Sequence, residues 1–108
     1  MQFALIGRLT RESLAAFIKD PIDRTGPASA LIETVGGKMQ HMWQTPEGVV
    51  IIILDAPDAK ALTAISTSVQ AINRLEDVRI HRLQPTAEFI EGIRLAQKAM
   101  DVNQFPKQ

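Results

Sequence analysis

Apolar and polar positions along this chain switch between strand-like runs and helix-like stripes, and the switches predict its elements. Phe3-Ala4-Leu5-Ile6-Gly7 is a short apolar run bounded by Arg8 and Thr10, which suits a strand over 2–9. Thr10 can then cap a helix whose Leu14, Phe17 and Ile18 form one apolar stripe, with Glu12 in the first turn. Asp20-Pro21 and Thr25-Gly26-Pro27 interrupt that helix, because the residue before a proline is pushed out of the helical region. Residues 11–35 therefore read as a broken helical segment. Its second half has Pro27 at a first helical position, turns Ala28, Leu31, Ile32 and Val35 inward, and ends in a left-handed cap at Gly36-Gly37.

Residues 39–44 read as a second strand and Thr45-Pro46-Glu47-Gly48 as a turn into a third strand, Val49-Val50-Ile51-Ile52-Ile53-Leu54. Those six consecutive aliphatic residues, five of them β-branched, leave no polar face, so both faces of that strand need cover. Asp55-Ala56-Pro57-Asp58 starts a helix, with Pro57 near its first position and Leu62, Ile65, Val69 and Ile72 at helical spacing up to about Asn73. Val78 to Leu83 is a strand with mixed faces. Thr86 caps a last helix over 86–101, striped by Phe89, Ile90, Ile93, Ala96, Gln97 and Met100, and 102–108 is a fraying tail.

The order β-α-β-β-α-β-α predicts an α+β fold: a ferredoxin-like βαββαβ unit with an extra C-terminal helix, its four-stranded antiparallel sheet carrying helices on one face. The apolar first and third strands take the centre and the mixed second and fourth the edges. One helical layer leaves the other sheet face in water, which the Val49–Leu54 run forbids, so a second copy is expected to cover it in a dimeric α+β barrel. The competing arrangement folds the C-terminal helix over that face within one chain.

Composition narrows the function classes. A chain of 108 residues, 45% hydrophobic and 22% charged, is one domain, taken as 1–101 with its last helix included. Twelve basic against twelve acidic residues leave zero net charge, so neither nucleic acid nor an anionic membrane is an expected partner. The absence of cysteine excludes disulfides, thiolate nucleophiles and cysteine-ligated metals. The apolar run Phe3 to Gly7 ahead of Arg8 is only five residues, too few for a signal-peptide core, and a cytoplasmic location is expected.

The segment from Gly36-Gly37-Lys38-Met39 through Leu54-Asp55-Ala56-Pro57-Asp58 resembles the GYD-domain family, small bacterial proteins of the dimeric α+β barrel superfamily and largely of unknown function. Its helix ending in Gly-Gly-Lys, strand with aromatic residues, turn, Val/Ile-rich strand and acidic-Ala-Pro-Asp helix start occur here in order. The Tyr and Asp of the naming motif fall at Gly48 and Val49, so no role of those side chains transfers. The resemblance implies a homodimer and, from the wider superfamily, a cleft between sheet and helices able to hold a small organic compound.

Strand alternation puts Met39, His41 and Trp43 on one face of the second strand, and Arg79, His81 and Leu83 on one face of the fourth, with Arg8 near the same region. As chemistry, His41, His81 and Arg79 are the catalytic candidates, while Trp43, Met39 and Arg8 are the ligand-binding ones. In a cofactor-independent monooxygenase or isomerase, His41 would be the base, Trp43 a pocket wall and Arg79 an oxyanion partner. As structure, edge-strand histidines and arginines are solvated or lie in dimer contacts, and Trp43 anchors an interface. The two histidines lack metal-ligand spacing, and no cofactor or metal is expected. The serines lie without a nucleophile elbow, and Gly36-Gly37 follows a helix, the reverse of a phosphate loop. The favoured reading is a small-ligand-binding or assembly module whose partner is itself, as a homodimer or higher oligomer through the sheet face. A purely architectural variant has the last helix mediating higher oligomers.

Overall fold

The computed structural model describes residues 1–103. Its elements are β1 (Gln2–Leu9), α1 (Arg11–Lys19), α2 (Thr25–Thr34), β2 (Lys38–Gln44), β3 (Val49–Asp55), α3 (Ala59–Ala71), β4 (Leu75–Arg82) and α4 (Thr86–Asn103). The strands form one sheet in the order β2-β3-β1-β4, every neighbouring pair antiparallel. This is the ferredoxin-like α+β arrangement, with the two apolar strands in the centre. The predicted tail splits at the end of α4: Val102 and Asn103 continue the helix, and 104–108 lie outside the described residues.

The core lies between the sheet and α1–α3. Phe3 and Leu5 of β1 stand opposite Leu54 and Ile52 of β3, and these four side chains, with Val50, pack against Ile32 of α2 and Ala61 and Ile65 of α3. Leu5 and Leu54 have no exposed surface, and burying each such side chain stabilises the fold by about 1.5–3 kcal/mol.

Local chemistry fixes the element ends. Thr10 caps α1 as expected, its Oγ1 accepting the Ser13 N–H at 3.1 Å while its hydroxyl donates to the Asn73 carbonyl at 2.7 Å. Helix α2 starts at Thr25 instead of Pro27, because Asp23 Oδ1 accepts the Thr25 N–H at 2.8 Å and closes a turn two residues earlier. Pro57 stands just outside α3, whose N-cap is Asp58, accepting the Ala61 N–H at 2.9 Å. Gly36 adopts φ +83, the left-handed cap expected of it. A Cβ on Gly37 would come within 2.8 Å of Ile32 Cγ2 and 2.9 Å of the Asp55 carbonyl oxygen, so this second glycine lets the chain pass from α2 into β2 close against the end of β3.

Helix α4 does not fold over the sheet. Its residues through Val102 are exposed, and the molecule measures 60 × 30 × 23 Å. An exposed ion pair, Arg82 Nη2 to Glu88 Oε1 at 3.1 Å, braces its first turn against β4 and is worth about 0–1 kcal/mol.

Candidate functional site

The sheet face turned away from the helices holds most of the candidate residues, in two cross-strand rows. One row runs His41, Ile53, Ala4, His81 across β2, β3, β1 and β4; the next runs Trp43, Ile51, Ile6, Arg79. Ala4, Ile6, Ile51 and Ile53 thus form an aliphatic centre, framed by two aromatic side chains at one edge and two basic ones at the other. The β3 burial pattern records the arrangement directly: Val50, Ile52 and Leu54 are buried, while Val49, Ile51 and Ile53 are only half-buried. Arg8 extends this face at one end, in register with Val49 and Glu76.

At the β2 edge the imidazole of His41 stacks on the indole of Trp43, with ring centroids 4.7 Å apart and planes 12° from parallel. Side chains two apart on a strand share a face, so the backbone brings the pair together without help from other elements. Trp43 is 54% exposed, unusual for an indole, which normally buries most of its surface.

Met39 is a correction. Strict alternation groups it with His41 and Trp43, but the β2–β3 register shifts between Met39 and His41, the extra residue Gln40 forming a bulge. Met39 therefore pairs with Leu54 and packs on the helix-side core together with Met42, opposite the ring pair. The cleft expected to hold His41 and Trp43 lies on the other side of the sheet from them. The three catalytic candidates do not converge either. His41 on β2 is three strand spacings, about 14 Å, from His81 and Arg79 on β4, too far for base and oxyanion partner to act on one small molecule. Among the described residues no group of three His, Asp or Glu side chains is placed to hold a metal ion. No described helix is long and apolar enough to cross a membrane.

A second feature lies on the helix side of the sheet, where α1, the 20–24 connection and the ends of β1 and β2 leave a cavity of about 460 Å³ that is open to solvent along one side. Leu9, Leu14, Phe17 and Met42 form its apolar wall, and Asp23, Arg24, Thr25 and Gln44 its polar side. The Arg24 guanidinium carbon sits over the Phe17 ring, 4.1 Å from its centroid. Hydrogen bonds from the Thr25 hydroxyl and backbone N–H hold the Asp23 carboxyl below the usual aspartate range. The sequence pattern shows 20–26 only as a break between two helical halves. The available signal was a cation at the cap of α2, where the positive end of the helix dipole disfavours it.

No family model matches this chain, and no curated protein matches its sequence. Fold and geometry therefore carry the functional argument: a ferredoxin-like α+β protein with an uncovered sheet face and a cavity on the opposite side.

Proposed function

We propose that this protein is a homodimeric assembly and small-ligand-binding module, its open sheet face stacked on that of a second copy as in dimeric α+β barrels. The observation that carries the reading is the aliphatic centre Ala4, Ile6, Ile51 and Ile53, with no element of the described residues over it. The likeness of residues 36–58 to GYD-domain proteins supports the same assembly.

The face suits a copy of itself. Trp43 and Arg79 end the same row at opposite edges, so a two-fold axis along the strands lays the indole of one copy against the guanidinium of the other, a cation–π contact. Three strand spacings by about 20 Å of strand give roughly 300 Å² per copy. A face of that size lies at the small end of specific interfaces, which corresponds to a weak, concentration-dependent dimer.

Sedimentation equilibrium tests this. The native chain is expected to dimerise at micromolar concentration, and Ile53→Lys to be monomeric with an unchanged circular dichroism spectrum. Trp43→Ala, at an exposed edge position, weakens the dimer at least tenfold without touching the core. A native chain that stays monomeric at 100 µM, an amount above ordinary dimer dissociation constants, overturns the proposal.

A further inference from the structure

We infer that the cavity between α1 and β2 is a binding site for a small monocarboxylate with an apolar body, and that Arg24 receives its carboxylate. This site lies on the helix side of the sheet and does not depend on the dimer.

Arg24 is the central observation. Its Nη1 is buried and, among the described residues, has no hydrogen-bond partner. Nη2 makes only a long contact, 3.4 Å, to the Asp20 carbonyl oxygen. Neither the Met1–Asp55 nor the Arg82–Glu88 ion pair involves this guanidinium, and Asp23 turns its Oδ1 to the Thr25 N–H. A guanidinium nitrogen sheltered from water without an acceptor is destabilising, and a carboxylate toward which the group turns satisfies it. The cation–π contact with Phe17 keeps the guanidinium carbon beside the cavity wall, and the long Asp20 contact is weak enough to give way as the terminal nitrogens turn toward a ligand. A planar fork of N–H donors matches a carboxylate.

The rest of the lining selects the ligand class. Leu9, Leu14, Phe17 and Met42 favour an aliphatic or aryl body, and 460 Å³ lies within the range of small-molecule pockets. Asp23 shares the polar side and remains ionised, its Oδ1 occupied by the Thr25 N–H. The Asp23 carboxylate beside Arg24 offsets part of its charge, so the site has too little positive charge to hold a phosphate dianion and depends on the directed N–H donors of Arg24 for a carboxylate. Gln44 adds an amide donor and acceptor at the rim for a second polar group on the ligand.

The test uses 3-phenylpropanoate, its amide 3-phenylpropanamide and phenyl phosphate, titrated into the full-length protein by calorimetry and by amide NMR shifts. The acid is expected to bind at least tenfold more tightly than the amide or the phosphate, with shifts at Leu9, Leu14, Phe17 and Met42. Arg24→Gln abolishes that preference and Arg24→Lys retains part of it. The acid–amide comparison needs no variant, so it stands even if Arg24→Gln misfolds. Equal affinity for acid and amide overturns the inference, as does an absence of saturable binding at millimolar acid. Because the cavity and the open face are on opposite sides, the monomeric Ile53→Lys protein keeps the acid preference, which separates this outcome from that of the dimer.

Discussion

At the scale of single residues, glycine and hydroxyl chemistry was readable from sequence while side-chain facing on the edge strands was not. Gly36-Gly37 announced a helix end, and the structure gives each glycine its own reason: a left-handed φ at Gly36, a close approach at Gly37. Gly37→Ala must move either Ile32 or the Asp55 carbonyl, and urea unfolding is expected to show a loss of about 1–3 kcal/mol. Met39 escaped the reading because an alternation argument assumes one residue per step, and nothing in Met39-Gln40-His41 marks Gln40 as the extra one. Arg24 escaped for another reason. Its interest lies in a partner it lacks, and sequence does not display missing hydrogen bonds.

At the scale of elements, types came through and boundaries moved where a side chain intervened. Helix α2 began early because of Asp23. Strand β4 began at Leu75 instead of Val78, since Asp77, at φ 51, forms an irregularity that lets charged residues enter the strand without breaking the inward facing of Leu75. The start of α1 is tied to the turn after α3 by two buried hydroxyls: Thr10 donates to Asn73, and Ser13 to the Arg74 carbonyl at 2.9 Å. Thr10→Ala therefore removes a helix cap and a tertiary bond together, and a loss of about 2 kcal/mol is expected, with Thr10→Ser recovering most of it. Thermal unfolding of the two variants distinguishes the hydroxyl's contribution from that of the methyl group.

At the scale of the whole molecule, the sheet order and its single helical layer were legible because two apolar strands must be central and two mixed strands peripheral. The position of α4 was not, since an amphipathic stripe states that a helix needs cover without stating where it finds it. The described chain has a radius of gyration of 18.1 Å, where a compact chain of about 100 residues has about 13 Å. X-ray scattering from monomeric Ile53→Lys is expected to return a value near 18 Å. One near 13 Å would mean that α4 closes on its own sheet. Finally, the ring pair at the β2 edge has a practical consequence. Trp43 is the sole tryptophan and the sequence contains no tyrosine, so the protein's ultraviolet emission comes from one indole stacked on an imidazole, a fluorophore and its quencher. The molecule thus carries a built-in optical probe at one edge of its open face, brightening or dimming whenever that stack is opened or covered.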